Sequence, residues 1–166
     1  GASIINDVSA GEMDKKMMKI VGKYNVPYVM MHMKGNPQNM IRKTNYDDML
    51  KEIIKYFSKK INQAVSYKIN DMIIDPGFGF AKDLKQNYDL LSNIDLLKIL
   101  DKPIMVGISR KSMIYQSLKT NAKESLNGTT VLNTVSLIKG ASILRVHDVK
   151  EANECIKLIS ALNNQG

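Results

Sequence analysis

Residues 71–80 read Asp-Met-Ile-Ile-Asp-Pro-Gly-Phe-Gly-Phe. A short apolar run stops at Asp75, a carboxylate followed at once by Pro76 and Gly77. A run of this length, bounded by turn residues, reads as a strand buried on both faces. Four other runs have the same form: Ser3–Asn6, Val26–Met33, Pro103–Ile108 and Ala141–His147. Most are continuous rather than alternating, as in a parallel sheet covered on both sides. Stretches of helical period separate them. Met13, Met17, Met18 and Ile20 form one stripe. Met49, Ile53, Phe57, Ile61 and Ala64 form a second, with Asn45 or Asp47 as its cap. Leu90, Leu91, Ile94, Leu97 and Leu100 form a third. Val131, Leu132, Val135 and Ile138, closed by Gly140, form a fourth, and Ala152, Ile156, Ile159 and Leu162 a fifth. Strand and helix alternating in this way specify an α/β fold with a parallel sheet.

The chain has 166 residues, enough for one domain with its own core. With 44% hydrophobic and 24% charged residues it is ordinary globular protein. No apolar run reaches the roughly 20 residues of a membrane span, and the first residues lack the basic and apolar regions of a signal peptide. One cysteine, Cys155, excludes a disulfide framework within the chain and suits a reducing, cytoplasmic setting. The net charge of +8 is nearly all lysine. Those lysines are spread over polar helix faces, and aromatic residues make up only 6%, so the excess reads as a solvated surface rather than a nucleic-acid footprint. An anionic ligand would account for part of it. The tail Asn163–Gly166 is expected to fray.

Polar residues cluster where each strand ends. They are Asn6 and Asp7; His32 and Lys34; Asp75; Ser109, Arg110 and Lys111; Arg145, His147 and Asp148. Parallel α/β folds bind ligands at the carboxyl ends of their strands, so these groups point to one convergent site. Alone, Asp75 is equally a turn cap or a site carboxylate that accepts paired N–H donors from a nitrogen heterocycle. Gly77 and Gly79 allow close backbone approach, and Phe80 can wall a flat ring. Gly107-Ile-Ser-Arg-Lys-Ser112 passes from strand to helix, where backbone N–H groups favour an anion or a carbonyl oxygen. Arg145 and His147 are two apart, which puts both on one face of a strand, and an unpaired arginine does not belong in a dry core. They read as a phosphate or diphosphate clamp, with a structural His147–Asp148 pair as the other reading. Asp148 either orients the ring or caps the next helix. His32 is either a structural histidine or a catalytic one. No complete metal-ligand spacing, Ser/His/Asp arrangement or glycine-rich nucleotide motif stands out.

Five segments in register resemble the dihydropteroate synthase family: IINDVSAG at 4–11, MHMKGNP at 31–37, DPGFGFAK at 75–82, GISRKS at 107–112 and RVHDV at 145–149. Lys34, Asn36 and Ala81 stand where that family commonly has Arg, Thr and Gly. The resemblance implies a (β/α)₈ barrel of TIM type. It also implies that residues 1–166 are the last five units of that single domain, lacking the first three, since a full barrel needs about 250 residues. It implies an enzyme of folate biosynthesis. A hydroxymethyl-dihydropterin diphosphate loses diphosphate to the amine of 4-aminobenzoate. Lys111, Arg145 and His147 would be the catalytic residues. Asn6, Met31, Asp75, Phe80, Gly107 and Lys111 would bind pterin, Ser112 the aminobenzoate, and Arg145 with His147 the diphosphate. Magnesium would be the cofactor, bound by a loop of the first three units and by no residue of this chain. These residues alone would then be inactive or impaired. The resemblance also implies a cytoplasmic homodimer formed through the late helices, and a sulfonamide target. Two rivals stand: a non-catalytic pterin-binding partial barrel, and the pterin-binding domain of corrinoid methyltransferases, which has no diphosphate to bind.

Overall fold

The computed structural model describes residues 1–35 and 44–163. Asn36 and Pro37, which end the second motif, and tail residues 164–166 lie outside the described residues. The five expected strands are present and short: β1 (Ile5–Asp7), β2 (Tyr28–Met31), β3 (Met72–Asp75), β4 (Met105–Val106) and β5 (Ile143–Leu144). They run parallel and in chain order. β1, β2 and β3 form one sheet, and β4 pairs with β5. A parallel bridge between Ile74 and Ile104 joins the two parts, with the Ile74 amide donating to the Pro103 carbonyl at 3.0 Å.

The strands alternate which surface they serve. Tyr28, Met30, Met72, Ile74, Ile104, Val106 and Ile108 pack in one apolar core with the helices α1 (Met17–Tyr24), α2 (Met49–Ser66) and α3 (Leu84–Ser92). The residues between them in sequence (Val29 and Met31, Ile73 and Asp75, Met105 and Gly107) therefore point to the opposite face of the sheet. Met31 and Asp75 are register partners there. This face carries the site.

The helices correct several expectations. α1 begins only at Met17 and buries Met18 and Val21, so Met13 (65% exposed) lies in the turn before it and Ile20 faces outward. Asp48, not Asn45 or Asp47, caps α2 by accepting from the Lys51 amide at 3.1 Å. The third stripe is split between α3 and a 3₁₀ segment, Ile94–Leu100. The chain between β4 and β5 holds a short helix not expected from sequence, α4 (Ser112–Ser117), before α5 (Leu126–Ile138). In α5 the buried residues are Thr129, Asn133 and Ser136, while Val131 and Ile138 are exposed. The Thr129 and Ser136 hydroxyls donate to helix-backbone carbonyls four residues back, which makes their burial cheap. α6 (Val149–Asn163) buries Ala152 and Cys155 and exposes Ile156 and Leu162. Among the described residues no helix is long and apolar enough to cross a membrane.

Candidate functional site

Asp75 ends β3 with its side chain only 2% exposed. Its Oδ1 accepts from the Gly77 amide at 2.8 Å, so it does cap the turn. Its Oδ2 lies 3.4 Å from Nη2 of Arg145, whose side chain is 44% exposed. The turn reading and the site reading thus describe two oxygens of one carboxylate. Arg145 reaches Asp75 across Gly107. A β-carbon at Gly107 would sit 2.5 Å from Arg145 Nη2, so this glycine is the passage for the guanidinium. Gly77 is equally constrained. Its φ is +73°, and a β-carbon there would stand 2.1 Å from the His32 carbonyl oxygen.

Lys111 leaves the end of the β4 segment and folds back on the β3 turn. Its ammonium donates to the Phe78 carbonyl and stands 4.8 Å from the centre of the Phe80 ring. Burial pushes Lys111 down to about 8; the Asp75 charge opposes that and the Arg145 charge adds to it. Asp75, Phe80, Gly107, Lys111 and Arg145 therefore meet in one region, and Met31 borders it, its Cγ 3.4 Å from the β-carbon position of Gly77.

His147 lies beside this group. Its backbone N–H donates to Ser109 Oγ at 3.2 Å, and its Nδ1 is 2.9 Å from the same oxygen. The His147–Asp148 pair, the alternative to an anion clamp, is not made. Asp148 instead accepts from Arg110, at 2.9 Å from Nε and 2.7 Å from Nη2. Arg110 also donates to the Ala122 and Lys123 carbonyls. Arg110 is thus a structural tie between the α4–α5 connection and Asp148, which corrects its expected place beside Lys111 in the site. The α4 helix start also carries less than expected, because α4 is six residues long. Ser112 opens it, half-buried. Asn6 is exposed on β1, in register with Val29 and so on the site face, two strands from Asp75.

His32 is resolved in favour of structure. It is 4% exposed, and the Tyr56 ring meets it edge-on at 4.9 Å. Burial, then Lys82 and Lys34, push it down to about 2, so it stays neutral. Asp7 is structural too. It accepts from Tyr28 at 2.6 Å, from Ser9 through both amide and hydroxyl, and from the Gly11 amide. Burial raises it, and those four bonds together leave it below the usual carboxylate range. The residue that sequence reasoning missed is Lys82, buried behind the β3 turn. A lysine closing a Gly/Phe turn directly after a strand-end carboxylate was the available signal. Among the described residues no three His, Cys, Asp or Glu side chains gather as a metal site. The described residues do not by themselves fit magnesium.

The sequence profile of the family described as "Pterin binding enzyme" matches residues 1–147. The chain is 37% identical over 163 residues to dihydropteroate synthase of Escherichia coli strain K12, covering 97% of this chain and 57% of that protein. It is 36% identical to dihydropteroate synthase of Synechocystis, covering 98% of this chain and 57% of the relative. The fold superposes on the Yersinia pestis dihydropteroate synthase crystallised with a sulfonamide drug, with a TM-score of 0.96 and 35% identity over 100% of this chain and 61% of that one. It also superposes on the Thermus thermophilus dihydropteroate synthase in complex with 6HMPPP, with a TM-score of 0.93 and 32% identity over 98% of this chain and 65% of that one. The five units thus match part of a (β/α) barrel, and the chain spans 57% of the length of those curated relatives.

Proposed function

The chain belongs to the pterin-binding enzyme family, and from that premise we propose that it carries the substrate-binding face of a dihydropteroate synthase. The reaction joins a hydroxymethyl-dihydropterin diphosphate to 4-aminobenzoate. The C–O bond to diphosphate breaks with its electron pair leaving on oxygen. The amine nitrogen forms the new C–N bond at the methylene carbon and gives up a proton to solvent.

The observation that carries this reading is the meeting of Asp75, Arg145 and Lys111. A pterin presents a ring N–H and an amino group side by side, and a carboxylate accepts both. The 3.4 Å contact from Arg145 to Asp75 Oδ2 is long for a charge-assisted bond, so ligand donors can compete for that oxygen. Lys111 supplies a donor for the pterin carbonyl side once it leaves Phe78. Phe80, Met31 and Gly107 line the ring, with Asn6 at its far edge. Arg145, half exposed, and His147 face the diphosphate; the Arg145 charge favours its departure and His147 offers a further hydrogen-bonding group beside it. Ser112 meets the aminobenzoate end. No general base is assigned, because an aryl amine attacking an electron-poor methylene carbon loses its proton after the bond forms.

Further parts of the reading rest on the resemblance: a cytoplasmic homodimer and a sulfonamide target. The dimer is supported by exposed apolar residues on the last two helices, among them Val131, Ile138, Leu158 and Leu162. A titration of hydroxymethyl-dihydropterin diphosphate into the chain tests the function. Saturable binding, displaced by free diphosphate, supports it, and the absence of binding to folded chain refutes it.

A further inference from the structure

Lys82 is 7% exposed, and its ammonium has three acceptors. They are the Gly77 carbonyl at 3.1 Å, the Phe80 carbonyl at 3.0 Å and His32 Nδ1 at 3.2 Å. An ammonium has three N–H groups, so every donor is used. The two carbonyls are the ends of the turn Gly77–Phe80. Lys111 binds that turn at its middle, through the Phe78 carbonyl. Asn87 secures the surroundings: its Oδ1 accepts from the Gly79 amide at 2.7 Å and its Nδ2 donates to the Lys82 carbonyl at 3.1 Å. The same turn supplies the Gly77 amide that aims Asp75.

Resting on the pterin reading above, we infer that Lys82 is a positioning residue of that site. Its nitrogen clamps the turn Gly77–Phe80 to His32, and so sets where Asp75, Phe80 and Lys111 meet the pterin.

The clamp has two protonation states. With Lys82 charged, His32 Nδ1 accepts and the ring proton sits on Nε2. When Lys82 gives a proton to solvent, two N–H groups remain for the two carbonyls. Its new lone pair then accepts from His32 once the ring proton has moved to Nδ1. His32 stays neutral in both. The groups acting on Lys82 are His32 from the end of β2, Asp75 from the end of β3 and Lys111 ahead of α4. Burial pushes Lys82 down to about 7, with Asp75 opposing and Lys111 adding. The exchange therefore falls near neutral pH.

The test follows the His32 ring nitrogens by ¹⁵N NMR on both sides of pH 7, together with a fluorescence titration of 6-hydroxymethylpterin. In wild type the two ring nitrogens should trade pyridine-like and pyrrole-like character near pH 7 with no imidazolium forming, and pterin affinity should change with the same midpoint. Lys82→Met should abolish both steps and weaken pterin binding about tenfold, the scale of one charge-assisted bond. Lys82→Gln keeps two N–H donors for the carbonyls without titrating, so it should recover part of the affinity and none of the pH step. Wild-type pterin affinity in folded Lys82→Met overturns the inference. If Lys82→Met fails to fold, folded Lys82→Gln decides in its place, since wild-type pterin affinity in it overturns the inference. If folded wild type binds no pterin at any pH, the function reading fails, whereas wild-type binding that Lys82→Met leaves unchanged fails the clamp alone.

Discussion

Arg145 and Asp75 stand 70 positions apart in the chain and 3.4 Å apart in the fold. One is half exposed and the other buried, with side-chain exposures of 44% and 2%. The contact joins the end of β3 to the end of β5 over the side-chain-free backbone of Gly107. A buried carboxylate needs a cationic partner or N–H donors. Asp75 has a firm bond from the Gly77 amide at 2.8 Å and a loose one from Arg145, which leaves capacity for a ligand.

Asp75→Asn keeps the shape but turns one acceptor into a donor facing the pterin N–H edge. Pterin affinity should fall about tenfold to a hundredfold, the effect of losing one or two charge-assisted bonds. Fluorescence titration reads this, with circular dichroism to verify the fold. Unchanged affinity would make Asp75 a turn cap only.

Gly107→Ala leaves every charge in place but puts a methyl group where Arg145 Nη2 now lies, 2.5 Å from the new carbon. The guanidinium must move off Asp75. Diphosphate affinity should drop in the variant as it does in Arg145→Ala. Arg145→Lys should not restore it, since the fork geometry is lost. Calorimetry with diphosphate checks all three.

Gly77→Ala should cost about 1–3 kcal/mol of stability from the positive φ alone. The β-carbon would also stand 2.1 Å from the His32 carbonyl oxygen, which adds to that. Urea unfolding measures the loss. A variant as stable as wild type would show that the turn is not held as described.

The pH dependence of stability follows from two buried lysines. Burial pushes Lys82 down to about 7 and Lys111 down to about 8, both from 10.5. Between those values and 10.5 the unfolded chain binds more protons than the folded one, so unfolding free energy rises with pH through that window. Below pH 7 both lysines are charged and their burial counts fully against the fold. Asp7 acts in the opposite range: its lowered carboxyl stabilises the fold above 3.8, and that contribution is lost as acid protonates it. Urea unfolding at a series of pH values should show stability climbing from neutrality, with a smaller climb in Lys82→Met, until ionisation of Tyr28, Tyr46 and Tyr56 in the unfolded chain opposes it, since burial holds all three above their ordinary 10 in the fold.

Much of this was legible in sequence because buried parallel strands announce themselves. Four of the expected runs contain an observed strand and the first, Ser3–Asn6, overlaps β1, which runs one residue further to Asp7, all in the expected order. The carboxyl-end rule gathers Asp75, Lys111, Arg145 and His147 from sequence alone. What stayed hidden was pairing. Nothing local distinguishes Arg110 from Lys111, yet one is tied to Asp148 and the other enters the site. Likewise His147 chose Ser109 over its sequence neighbour. Helix α5 misled because Thr129 and Ser136 bury their hydroxyls against their own helix, so its most buried positions are polar; of the expected apolar stripe Leu132 and Val135 pack against the core while Val131 and Ile138 face outward. Lys82 escaped because lysine is expected at the surface, and only the fold shows three acceptors waiting for it.

A single titration decides whether Asp75 and Arg145 hold the two ends of one ligand. Hydroxymethyl-dihydropterin diphosphate is titrated calorimetrically into the 166-residue chain, its Asp75→Asn variant and its Arg145→Ala variant, each verified as folded. The account predicts saturable binding to wild type, weakened about tenfold or more in each variant. It also predicts that free diphosphate displaces the ligand from Asp75→Asn as readily as from wild type, because Arg145 and His147 are intact there. No binding to wild type, or equal binding to all three proteins, would contradict it.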